Sequence, residues 1–195
     1  MASTYVNDLR LNEMATGDAS GTWGDTTNTN LELIGEALGY GTEAITTNAD
    51  THTSTIADGA TDPVRAMYVK YTGTLDSACT ITIAPNTVNR MHFIENGTSG
   101  SQNIIISQGS GANVTIAPGD VKAVYLDGAG SGAAVTDAFA GLNIGTTSGG
   151  ATVNGITSKT FGTSSIMIGD NATGTIDAAN YNVGLGVDVF AALTT

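Results

Sequence analysis

The chain has 195 residues, a formal net charge of −12 and a pI near 4.1. Charged residues are 12% of it, against about a quarter in an average globular protein, and with only 3 Pro and a mean hydropathy of +0.07 it is not a charge- and proline-rich disordered chain. So acidic a chain repels nucleic-acid phosphates and anionic lipid, so neither is expected as a partner, and the charge is read as keeping a surface with 26 Gly soluble.

No run approaches the roughly 18 apolar residues of a membrane helix, so no membrane span is expected. Met1-Ala2-Ser3-Thr4-Tyr5 has neither a charged start nor an apolar core, so no secretory signal is expected and synthesis in a host cytoplasm is. The single cysteine, Cys79, excludes an intrachain disulfide; it alternates with Ile81 and Ile83, which predicts a buried thiol on a strand.

Taken in order, residues 2–20 hold Tyr5, Val6, Leu9, Leu11 and Met14 without a clean helical or strand period. Such a segment is expected to be an extended arm that orders against a neighbour, because a purely solvated tail has no use for those side chains. Thr16 to Gly21 is a loop. Thr29 and Glu32 then fit a capping box, with Leu31, Ile34 and Leu38 on one face and Gly39 as a left-handed stop. A helix of about ten residues is marginal alone, and Gly35 weakens it further, so its apolar face must dock on something. The nearest large apolar group is Trp23, the only tryptophan. Residues 1–42 therefore read as an arm and attachment helix, with Trp23, Leu31, Ile34 and Leu38 as the expected interface, and Tyr5, Leu9 and Leu11 as the next candidates.

Residues 43–140 read as short strands at intervals of about eight to twelve residues with turn chemistry between them. They include 64–71, 78–84, 88–95, 102–108, 112–117, 121–127 and 133–139. The fold class expected is mainly β, with this stretch an antiparallel β-sandwich or small barrel. From Gly141 to Ser165 the chain is mostly Gly, Thr, Ser and Asn with isolated Leu142, Ile144, Val153, Ile156 and Phe161, too few for a monomeric core. Three copies wound together would bury them at a shared axis. Residues 141–195 are accordingly expected to be a fibrous β segment, the start of a shaft, in a homotrimer.

Two stretches resemble tail fibres of tailed, podophage-like bacteriophages and related virion appendages. The first is Thr22-Trp23-Gly24, Asn28-x-Asn30-Leu31 and Ile34-Gly35-x-Ala37; the second runs from Glu95-Asn96-Gly97 through Val114-Thr115-Ile116-x-Pro118-Gly119 to Tyr125-x-Asp127-Gly128. Asn182-Val183-Gly184-Leu185-Gly186-Val187, followed by Phe190-Ala191-Ala192-Leu193, is similar to one unit of the repeats in trimeric β-roll fibres. The resemblance implies an N-terminal end bound to an adaptor- or nozzle-type tail protein. The host receptor would be contacted only by a distal part outside this chain.

Reactive chemistry is not legible. His52 and His92 fall on different segments, and Asp170, Asn171 and Asp177 lack the bidentate Glu of a calcium loop. Gly109-Ser110-Gly111 lacks a phosphate loop's Lys, and Asp58 and Asp62 have no aromatic groove beside them. No enzyme, metal or cofactor is expected. The expected function is structural, in the virion tail; a head-decoration protein and a carbohydrate-binding module for the host surface are the alternatives.

Overall fold

The computed structural model describes residues 3–141 and, beyond them, the backbone of five strands between 146 and 185. Two units separate, Met1–Ala140 and Gly141–Thr195.

In the first unit an arm leads into helix α1 (Trp23–Ala37), and nine strands follow in two sheets. One sheet orders β1 (Tyr40–Ala44), β3 (Tyr68–Thr72), β5 (Asn89–Asn96), β8 (Val121–Asp127) and β9 (Val135–Asp137). The other orders β2 (Thr51–Thr55), β4 (Cys79–Ala84), β6 (Ile104–Ser107) and β7 (Val114–Ile116). Up to β6 the chain alternates between the sheets, so each coil lays one strand in each.

The sheets are mixed, which corrects the antiparallel sandwich or barrel expected from the alternation. β1, β3 and β5 pair in parallel, as do β2, β4 and β6. Antiparallel pairing enters with β7, β8 and β9. A parallel neighbour needs a crossover of a dozen residues or more, and here the crossover is a strand of the facing sheet rather than a helix. The register shows it: Tyr40 lies opposite Tyr68, and Tyr68 opposite Phe93.

The core lies between the sheets. Val69, Ile94, Val124 and Leu126 of the first sheet and Ile81, Ile83, Ile104, Ile106 and Ile116 of the second are buried in one cluster. Each such side chain contributes about 1.5–3 kcal/mol on burial. Cys79 is buried with them, as its alternation predicts, and burial raises its thiol pKa. The Tyr71 hydroxyl, which faces inward, is paired with Ser54 Oγ across the sheets at 2.9 Å. Burial raises the Tyr71 pKa.

In the second unit, β10 (Thr146–Thr147), β11 (Gly150–Val153), β12 (Ile156–Phe161), β13 (Ser165–Ile168) and β14 (Val183–Leu185) form one sheet in chain order. Pairing is antiparallel through β13 and parallel between β13 and β14. The side-chain burial expected along a three-fold axis, the Asp170–Asp177 turn and the terminal Phe190 to Leu193 lie outside the described residues.

Candidate docking surface

The arm is ordered, and its contacts are with its own chain. Asp62 precedes a 3-10 turn at Pro63–Arg65 and accepts the Arg65 amide at 2.6 Å. That turn aims Arg65 into the interior, where its side chain is fully buried. The guanidinium donates to the carbonyls of Leu9, Ala57 (2.5 Å) and Ala60 (2.8 Å), pairs with Asp62 at 3.0 Å and lies 3.8 Å from Glu36 of α1. These bonds to the Nη groups and the Asp62 carboxylate offset the cost of burying a guanidinium. Arg65 therefore ties arm, loop and helix to the sheets.

Further bonds fasten the arm on either side of Leu9. Asp8 accepts the amide of Asn89 at 2.8 Å, and Arg10 pairs with Asp58 at 2.7 Å. Tyr5 and Leu11 are half-buried. The Tyr5 ring lies against Gly59, where a Cβ would come within 2.7 Å of it, and the Leu11 amide is held by Asn7. So Tyr5, Leu9 and Leu11 are engaged within the chain.

Helix α1 starts at Trp23, six residues before the capping box, so Thr29 and Glu32 fall inside it and cap nothing. It docks by a side other than the expected one. Leu33 and Ala37 are buried, and Asn30 exchanges two hydrogen bonds with the Asn12 backbone, at 3.0 and 2.9 Å. At 3.6 residues per turn Trp23, Leu31, Ile34 and Leu38 lie within about 80° of the circumference. Trp23 is 65% exposed, Leu31 61%, Ile34 38% and Leu38 71%. They form an exposed, mainly apolar stripe, about 90° around the helix from the side on which Asn30, Leu33 and Ala37 pin it.

A second uncovered apolar surface was not foreseen. On the outer side of the five-stranded sheet, exposed Tyr40 and half-buried Tyr68 and Phe93 stand in register across three strands, and the row continues onto β8 at Ala123, which is buried. The Tyr40 and Tyr68 rings stack at 5.5 Å, and Phe139 reaches Phe93 at 6.5 Å. Met91 opposite Tyr125, and Val121 opposite Glu95, widen the row; Met91, Tyr125, Val121 and Phe139 are exposed. The charges on this surface cancel locally. Glu95 takes hydrogen bonds from Lys70 at 2.7 Å and the Tyr68 hydroxyl at 2.8 Å, and these, Lys70 foremost, hold its pKa below the usual carboxylate value.

The two histidines do not meet. His52 pairs with Glu43 at 2.8 Å, while His92 is buried with Nδ1 2.9 Å from the Ala66 carbonyl. Burial, and then the nearby Arg90 charge, lower the His92 pKa to about 3, so it is neutral at physiological pH. Among the described residues no cluster of three or more His, Cys, Asp or Glu is placed to hold a metal, and no helix is long and apolar enough to cross a membrane. A cleft of about 400 Å³ lies between the end of α1 and the 3-10 turn, lined by Glu36, Tyr40, Gly41, Thr61, Asp62 and Pro63 among others. A Cβ at Gly41 would lie 2.0 Å from the Pro63 carbonyl oxygen, so this approach needs glycine.

The chain matches no protein-family model, no curated protein and no solved structure.

Proposed function

We propose that this chain is a structural, non-enzymatic protein of a virion tail fibre or appendage, anchored through its N-terminal region and projecting toward the host. The observation that carries the reading is the stripe Trp23, Leu31, Ile34 and Leu38, left exposed on a helix whose neighbouring side is fixed to the fold. The largest apolar patch of a monomer is often a functional one. The tail-fibre resemblance of Thr22-Trp23-Gly24 and Ile34-Gly35-x-Ala37 supplies the kind of assembly: attachment to an adaptor- or nozzle-type protein, in a homotrimer. Three copies binding together multiply a modest apolar contact through avidity.

The carbohydrate-binding alternative gains exposed aromatics beyond Trp23, but Tyr40 and Tyr68 stack on each other rather than offering free ring faces. Labelling virions with an antibody against residues 43–140 tests the proposal. Signal at one vertex supports the tail; signal spread over the capsid rejects it in favour of head decoration.

A further inference from the structure

We propose that the free edge of β1 takes an added strand from a partner protein, an extended segment that places a Lys or Arg over Glu43. This contact goes beyond the tail reading and uses surface outside the helix stripe.

The backbone of β1 is paired on one side only. Tyr68 donates to the Gly39 carbonyl at 3.1 Å and Ile45 to the Thr72 carbonyl at 2.8 Å, which sets the phase of the parallel ladder with β3. In that phase Gly41 and Glu43 bond to β3, while the N–H and C=O groups of Tyr40, Thr42 and Ala44 point away from it. No described residue bonds to those groups, and all three residues are exposed. The edge of β2 is bare in the same way at Thr51, Thr53 and Thr55. At the far end the first sheet's edge is covered. There Val135 of β9 donates to the Ala112 carbonyl at 2.8 Å, and Gly111 to the Ala133 carbonyl at 3.0 Å. Neither β1 nor β2 contains Pro or Lys, residues that blunt an edge. An edge left in this state is a template for strand addition.

Side chains and charge select the occupant. Glu43 reaches between the sheets and pairs with His52 of β2 at 2.8 Å, and both side chains are partly exposed. His52 lies edge-on to the buried Tyr71 at 6.4 Å, so this pair is the last layer of the core at the open end. Glu43 Oε2 has no hydrogen-bond partner among the described residues, an exception among buried polar atoms. Residues 11–64, which build this end, contain no Lys or Arg. The cations that flank them, Arg10 and Arg65, are already paired with Asp58 and Asp62. A basic strand supplies the charge this end lacks. A second copy does not, because two such ends bring like-charged segments together, and a charge pointing inward from an edge strand acts against that pairing. On the outer side of the sheet, the added strand would extend the row Phe93, Tyr68, Tyr40 by one apolar side chain beside Tyr40.

Selection of a displayed library of short random peptides on the full chain tests it. The enriched family is expected to alternate β-branched residues and to hold one Lys or Arg; its consensus peptide is then synthesised. N-methylation of alternate amides along one edge of that peptide keeps every side chain. It should weaken binding to the wild-type chain by about tenfold, whereas methylation along the other edge should not. Thr42→Pro removes an N–H that the fold leaves unbonded, a change edge strands tolerate, and should abolish binding. Glu43→Gln should weaken the basic peptide but not its Gln counterpart. Leu31→Ser, on the helix stripe, should leave the affinity unchanged. No enriched family, a family without a basic residue, or equal affinity of the two methylated forms overturns the proposal. So does binding that survives Thr42→Pro or falls with Leu31→Ser. Self-association of the wild-type chain that Thr42→Pro abolishes makes a second copy the occupant and overturns it too. The outcomes separate from the tail assignment: absent tail labelling leaves this contact standing, and absent peptide binding leaves the tail assignment standing.

Discussion

Replacing Leu33 and Leu31 by alanine, one at a time, separates the two sides of α1. Leu33 is 0% exposed and Leu31 61% exposed, two positions apart in the same helix. Alanine is the best helix former, so propensity favours both changes slightly and cannot produce a loss. Leu33→Ala deletes buried carbons and leaves a cavity, at a cost of about 2–5 kcal/mol. Leu31→Ala removes little that folding buries and should stay within about 0.5 kcal/mol in the monomer. Urea unfolding followed by far-UV circular dichroism measures both, at a dilution where sedimentation shows single copies. Equal costs for the two substitutions at low concentration would refute the assignment of the docked side.

Arg65→Met should destabilise the first unit by about 3–5 kcal/mol, because Asp62 stays buried without its partner; it should also expose the arm near Leu9 to protease, and an unchanged melt and digest would contradict the role given to Arg65. Gly41→Ala should cost about 1–3 kcal/mol through overlap with the Pro63 carbonyl, read as a shift of the denaturation midpoint. Because the His92 pKa is near 3 in the folded chain and about 6.5 when unfolded, its contribution is present above pH 6.5 and lost as pH falls toward 3. Stability should therefore drop by about 1.4 kcal/mol per pH unit between pH 6 and 4 from this group. His92→Gln should flatten that slope by one proton, and identical slopes would show that His92 is protonated in the fold.

The strands were legible where one face is buried. Val121–Asp127 has the bounds its alternation predicts, and Cys79–Ala84 lies within one residue of them. Strand direction was not legible, because a period of two marks which face is buried and carries no sign for direction. Nor does any motif mark the coil spacing that sets Tyr40 opposite Tyr68 and Tyr68 opposite Phe93. The aromatic face follows from that topology and could not be found before it. The helix was found, but the side by which it docks on its own chain was not. Apolar content pointed to Leu31, Ile34 and Leu38, whereas the arm offered Asn30 the polar backbone of Asn12. Arg65 was hidden inside an apolar run; Asp62-Pro63, which starts a turn, was the signal that the strand begins later, at Tyr68.

The central claim is that the exposed stripe of α1 is what the assembly uses. Virions assembled with the chain carrying Leu31→Ser and Leu38→Ser together test it most directly, with copy number per particle as the readout. The account predicts particles that lack the protein, although the purified variant keeps the wild-type circular dichroism and melt. Particles that carry it at the normal copy number would contradict the account and place the attachment elsewhere on the chain.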